Sequence, residues 1–297
     1  MNNDSKIRGM TMLFNTPLRY PGGKAKLSNF VMKIIEKNNL HDLHYAEPFA
    51  GGAGLALNLL TKGYAKKIYL NDINPAIYAF WYSIINHTHD FCKKIEKTDV
   101  TIDEWHHQRK IMVHAKSSNI FELGYSTFFL NRTNRSGILL GGILGGKEQK
   151  GNWKLDARFN KYNLIERIER ISKYKNNIII SNLDAREFIQ KTIKQLPINS
   201  LTYFDPPYYV KGKGLYENHY IHEDHEVIAN IIQTEISTPW IVSYDNVEPI
   251  QKMYSKSKFL SYDINYSVQN KYKGSEIMFF SKQLNFPVEK YPTKTKI

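Results

Sequence analysis

Cysteine is almost missing. Cys92 stands alone among 297 residues, which excludes an intrachain disulfide and any zinc site built on several cysteines. No apolar stretch approaches the roughly 18 residues of a membrane span. The opening "MNNDSKIRGMTMLFN" has no signal-peptide core, so the expectation is a cytoplasmic protein with no membrane partner. The ten histidines show no metal-ligand spacing; no metal is expected, and His106, His107, His222 and His225 are expected at the surface. There is no low-complexity tract and no repeat beyond a recurring strand–helix plan. Acid is scarce relative to base, with 28 Asp and Glu against 41 Lys and Arg and a formal charge of +13. Such an excess favours a polyanionic partner, most commonly nucleic acid.

What is present is an alternation. "LHYAEPFAGGAGLALNLL" (43–60) reads strand, glycine turn, helix. "KKIYLNDINPAIYAFWYSII" (66–85) repeats it, with Pro75 opening the helix where its missing N–H costs nothing. "NNIIISNLDAREFIQKTI" (176–193) does so again, and "SLTYFDPPYY" holds a fourth strand. A helix over Asp224–Ile236, the strand "WIVSYDN" (240–246), a short helix near Glu248–Tyr254 and two strands near 259–268 and 276–281 follow. The last two suit an antiparallel hairpin. Alternating strands and helices predict an α/β fold: a doubly wound, mostly parallel sheet with an antiparallel edge. Residues 86–175 break the pattern with helical pieces and a glycine-dense stretch at 137–151 that excludes a simple helix. A helix resumes over 161–175, with Leu164, Ile165, Ile168 and Ile171 on one face and Glu166 and Arg170 at pairing distance. Between 147 and 175 there are nine Lys and Arg against four Asp and Glu. This block reads as a mainly helical insertion, leaving 1–85 and 176–297 as the sheet domain.

Ligands of doubly wound sheets sit at the carboxyl ends of the strands. Glu47-Pro48-Phe49-Ala50-Gly51-Gly52-Ala53-Gly54 gives a glycine turn that lets a ligand approach the backbone, without the spacing of a dinucleotide site. Asp72 ends the second strand, where an acid can accept from both ribose hydroxyls or cap the next helix. Asp184 ends the third and can accept from an adenine amino group or cap "AREFIQKTI". Asp205 ends a buried strand, and Pro206 and Pro207 fix two φ values and donate no N–H. The Asp205 carboxylate and the Pro206 carbonyl are thus two acceptors on a stiff support, suited to an exocyclic amino group. Tyr208 adds a flat face for a base. Lys24, in "TPLRYPGGKAKL", is a point-charge anchor for a carboxylate or phosphate.

Tyr20-Pro-Gly-Gly-Lys24, Glu47-Pro-Phe49-Ala-Gly-Gly-Ala-Gly54, Asn71-Asp72-Ile-Asn74 and Asp205-Pro-Pro-Tyr208 occur in one order. That ordered set, spread over residues 16–281, resembles the Dam-like, alpha-class DNA adenine N6-methyltransferases of the D12 class. The resemblance implies a Rossmann-like class I methyltransferase fold, S-adenosylmethionine as methyl donor, and double-stranded DNA from which the target adenine is flipped. It further implies that Tyr20 and Lys24 contact the cofactor and that Glu47 and Phe49 lie beside its methionine part. Asp72 would bind its ribose and Asp184 lie near its adenine. Asp205 would touch cofactor and target, with Asp205, Pro206 and Tyr208 as the catalytic turn.

The resemblance makes 86–175 a target-recognition insertion. Asn131-Arg132 fits its Leu-Asn-Arg element, but Thr133-Asn134-Arg135-Ser136-Gly137 replaces the aromatic stretch that follows in GATC readers, so a GATC target does not carry over. Asn131, Arg132, Arg135, Lys154 and Arg158 are candidate DNA contacts, arginine being able to grip phosphate or read guanine. Lys211 joins them from "YVKGKGLYENHY", a glycine-hinged loop suited to ordering over the flipped nucleotide. A cognate restriction endonuclease is an admissible partner, and a monomer or weak dimer the expected form. An RNA adenine or DNA cytosine-N4 methyltransferase, and a catalytically silent DNA-binding regulator, remain alternatives.

Overall fold

The computed structural model describes residues 16–19, 24–210, 220–266 and 272–287. Seven strands form one sheet: β1 (Leu43–Glu47), β2 (Ala65–Asn71), β3 (Ile178–Ser181), β4 (Ser200–Phe204), β5 (Trp240–Asp245), β6 (Lys258–Tyr266) and β7 (Tyr272–Phe280). Their order is β3-β2-β1-β4-β5-β7-β6. The first five run parallel, and β7 lies antiparallel between β5 and β6. The expected hairpin is present, and its second strand docks on β5 while its first forms the edge. This is a doubly wound, Rossmann-like order with an antiparallel edge, as the alternation predicts.

Strands β4 and β5 are buried at every position, as befits strands covered on both faces. Alternation sorts their side chains. Tyr45, Tyr203, Ile241 and Met278 face one apolar core, and Ala46, Phe204, Val242 and Phe279 face the other. The first core is closed by α1 (Ser28–Lys37), α2 (Gly54–Thr61) and α3 (Pro75–Asn86). Asn74, not Asp72, caps α3, accepting from the Ala76 amide with Pro75 at the first turn.

Four further helices follow: α4 (Thr88–Lys97), α5 (Ile102–Val113), α6 (Ile120–Thr133) and α7 (Lys161–Ser172). They join the first core rather than forming their own. Phe80 of α3 meets Phe91 and Phe128, and Phe159 packs on Phe128 and Phe129. Helix α6 lies so close to α3 that a Cβ at Gly124 would collide with the Ala79 carbonyl. On α7, Leu164, Ile168 and Ile171 are buried and Glu166 pairs with Arg170 at 3.0 Å. The second core is closed by α8 (Ala185–Lys191), α9 (His222–Glu235) and α10 (Glu248–Met253). No helix of the described residues is long and apolar enough to cross a membrane.

Candidate active site

Five parallel strands end along one rim, and each delivers a polar group there. Asn71 closes β2 and ties the rim together. Its amide donates to the Pro48 and Leu183 carbonyls and accepts from the Ser181 hydroxyl and the Leu183 amide. All four of its hydrogen-bonding positions are used, which fixes the loops after β1 and β3 against β2. Asp72 follows. One carboxylate oxygen accepts from Gly51 N and the other from Asn74 N, both at 2.9 Å. Burial raises its pKa to about 6, against the pull of those two amides.

The turn after β1 is tight. Gly51 and Ala53 both adopt left-handed φ angles of 46°, and Trp81 donates its indole N–H to the Gly51 carbonyl at 2.9 Å. A cleft lined by Ala50, Asp72, Tyr78 and Ser181 opens beside it. Glu47, 6% exposed, accepts on Oε1 from the Tyr45 hydroxyl (3.0 Å) and the Ala56 amide (3.1 Å). Its Oε2 has no hydrogen-bond partner among the described residues. Burial pushes its pKa up to about 8 with no cation beside it among the described residues, and an incoming ammonium would supply the charge that favours the carboxylate. An acceptor pair at Asp72, an uncommitted oxygen at Glu47 and a backbone turn open to close approach fit an amino-acid-bearing nucleoside. Phe49 packs edge-on against Tyr220 at 6.0 Å. Asp184 caps α8 through the Arg186 amide and also pairs with the Arg186 side chain at 3.0 Å.

Asp205 lies just past β4. Its Oδ1 accepts from the Ser243 hydroxyl at 2.9 Å and from the Lys24 ammonium at 3.1 Å. Lys24 also donates to the Tyr208 hydroxyl at 2.7 Å and lies 3.9 Å from Glu276, itself held by the Tyr262 hydroxyl at 2.7 Å. Burial raises the Asp205 pKa, and Lys24 and Ser243 pull it back. Burial works against the charge on Lys24, but Asp205 and Glu276 outweigh it and raise its pKa. The Pro206 carbonyl accepts no hydrogen bond among the described residues. Beyond the turn, Asp245 at the end of β5 grips the backbone: Tyr209 N donates to Oδ1 and Val210 N to Oδ2, both at 2.9 Å. The Tyr208 ring rests 6.4 Å from that of Tyr244.

Sequence reasoning missed Ser243, Asp245 and Glu276, and quoted Asn71 without giving it a role. Ser243 and Asp245 are two apart on one strand and so share a face, a signal available in "WIVSYDN". Tyr20 and Lys211, with the rest of 211–219, lie outside the described residues. Three expectations are corrected. Asn131 is 1% exposed and spends its amide on the backbone, accepting from Arg19 N and donating to the carbonyls of Arg19 and Gly137. Arg132 is 8% exposed, its guanidinium bonded to the Pro17 carbonyl. Neither side chain is presented outward, because residues 16–19 cover both. His225 is buried too. It hydrogen-bonds Tyr244 and packs on Tyr209 and Tyr220, and burial lowers its pKa to about 4. Arg135, Lys154 and Arg158 are exposed.

Residues 20–268 match the model of the family described as D12 class N6 adenine-specific DNA methyltransferase. The chain is 24% identical over 225 residues to the modification methylase StsI of Streptococcus sanguinis, covering 70% of this chain and 31% of StsI, so it spans about a third of that relative's length. Among solved structures, PH1948 of Pyrococcus horikoshii aligns at 12% identity and TM-score 0.42, over 89% of this chain and 87% of its own. TrmK of M. capricolum, solved with S-adenosyl-homocysteine, aligns at 8% identity and TM-score 0.36, over 84% and 68%.

Proposed function

The chain belongs to the D12 class N6 adenine-specific DNA methyltransferases, and we propose that it methylates the N6 amino group of an adenine flipped out of double-stranded DNA. The observation that carries this reading is the Asp205 carboxylate. It is propped by Ser243 at 2.9 Å beside the uncommitted Pro206 carbonyl, at the end of a fully buried strand.

S-adenosylmethionine, when bound, supplies a methyl group on a sulfonium, already activated for transfer. Glu47 would hold its amino group, Asp72 its ribose, and Phe49 and Asp184 its remaining flank. The lone pair of adenine N6 is delocalised into the ring and is a poor nucleophile. Asp205 and the Pro206 carbonyl would accept hydrogen bonds from its two N–H groups and favour a pyramidal nitrogen whose lone pair points away from both. Lys24, which now donates to Asp205 and Tyr208, is an N–H donor in the place the amine would take. Tyr208 would stack on the extruded base. The nitrogen would form a bond to the methyl carbon as that carbon's bond to the donor sulfur breaks, the electron pair staying on sulfur, and the proton it sheds would go to Asp205 or water. Positioning and electrostatics supply most of such a rate enhancement. Residues 86–175 would read the target. The modification-methylase relative supports a cognate restriction endonuclease as partner, and we take the enzyme to act in the cytoplasm as a monomer or weak dimer.

Incubation with labelled methyl donor and mixed DNA and RNA, followed by nucleoside mass spectrometry, tests the reading. N6-methyladenine in DNA is expected, with no transfer by Asp205→Ala at an unchanged melting temperature. Label confined to RNA or to cytosine, or substantial turnover by that variant, would overturn it.

A further inference from the structure

Residues 16–19 are strapped to the insertion by basic side chains. Arg132 on α6 donates to the Pro17 carbonyl, and Arg167 on α7 donates to the Thr16 carbonyl at 3.2 Å. Asn131 grips both backbone groups of Arg19. Gly137, at φ +76°, passes so close that any Cβ there would strike the Arg19 carbonyl. The strap fixes the Arg19 backbone, and the charge of Arg19 reaches the buried guanidinium of Arg132. Arg158 stands by through Phe159, whose ring packs on Phe128 and Phe129 of the same helix, and its guanidinium lies 5.4 Å from the ring of the exposed Trp153.

These four arginines have no matching acid. Among the described residues no carboxylate pairs with Arg19, Arg132, Arg158 or Arg167. Glu166, whose charge reaches Arg167, is bonded to Arg170 at 3.0 Å. Burial, then repulsion from Arg167, Arg19 and Arg158, lowers the hold of Arg132 on its proton. A fold that confines like charges in this way gains from an anion that bridges them. Arg19 is five residues from Lys24, at most about 18 Å of extended chain, and Lys24 touches Asp205.

The geometry points to a phosphate-binding surface: Arg19, Arg158 and Arg167, backed by the buried Arg132, grip phosphodiester groups of the substrate duplex. Arg132 serves as a fixed positive post rather than as a contact, and Arg19 and Arg167 join the interface. The inference rests on the DNA-methylating reading and names how the duplex is held.

Fluorescence anisotropy with a labelled duplex, titrated from 50 to 200 mM salt, tests it in the full chain. Arg158→Gln/Arg167→Gln should lower the slope of log affinity against log salt by about 2, roughly 0.9 for each phosphate no longer neutralised. Arg158→Lys/Arg167→Lys should keep the slope, since Lys retains the charge. Arg158→Gln alone, at an exposed residue, should lower it by about 1 should the double variant fail to fold. An unchanged slope in a folded glutamine variant overturns the inference. So does weakened cofactor binding with an unchanged slope, which would assign the arginines to the cofactor's carboxylate. A wild-type chain that neither binds nor methylates DNA sinks the functional reading itself; methylation with an insensitive slope sinks only the phosphate surface.

Discussion

Replacing Asp245 by asparagine should slow methyl transfer about 10- to 100-fold while leaving the chain folded. Asp245 is 2% exposed, and its two oxygens each accept a backbone N–H, from Tyr209 and Val210, at 2.9 Å. Both bonds are assisted by the carboxylate charge, and such bonds are worth about 1.5–3 kcal/mol each. Asparagine has the same shape but only one acceptor. Its amino group must face a backbone N–H, so one bond disappears and two donors are opposed. About 1.4–2.8 kcal/mol of that penalty expressed as misplacement of the Pro206-to-Tyr208 turn corresponds to 10- to 100-fold in rate.

The readout is a split in the kinetic constants. Asp245 touches neither oxygen of Asp205 nor the glycine turn, so cofactor KM should move little while kcat falls. Asp245→Ala, which removes both bonds, should fall further than Asp245→Asn. Asp245→Glu should not rescue, because the extra methylene pushes the carboxylate off the two amides. Refutation would be a folded Asp245→Asn enzyme with wild-type kcat, or one whose loss lies wholly in cofactor KM.

Ser243→Ala removes a donor from the Asp205 carboxylate at 2.9 Å. Burial already raises that acid and Ser243 lowers it, so the acidic limb of the rate–pH profile should move to higher pH; an unmoved limb would remove Ser243 from the site. Glu47→Gln tests the cofactor pocket through stability. Burial raises the Glu47 pKa from 4.5 to about 8, so the folded chain binds that proton more tightly than the unfolded chain. The wild type should therefore be destabilised as pH rises from about 4.5 to about 8 relative to Glu47→Gln, by roughly 5 kcal/mol at most at 1.36 kcal/mol per unit. Melting curves of the two proteins that run parallel from pH 5 to 9 would contradict this. The same variant should bind cofactor more weakly, which calorimetry would measure.

Much of the rim is legible in the sequence because its signals are local. A strand that ends in an acid, a glycine turn or two prolines announces itself within ten residues, and Glu47, Asp72, Asp184 and Asp205 all carry such a signal. The doubly wound order follows from the same alternation. What stays hidden is held by partners far apart in the chain. The Asn131 and Arg19 bonds span 112 residues, and nothing near Asn131-Arg132 announces that residues 16–19 will cover it. A charged side chain on a helix reads as facing solvent, when its burial depends on a remote segment. His225 is a different case. It occupies one stripe with Ile228, Ala229 and Ile232, all buried, at the i, i+3, i+4, i+7 spacing of a helix face. A polar residue in register with an apolar stripe is buried by that register, whatever its type. The same logic applied to β5 singles out Ser243 and Asp245. In a strand covered on both faces, polar residues two apart on one face cannot be explained by solvent, so they must serve a neighbouring strand. Here that neighbour is β4, and what they serve is the turn it delivers.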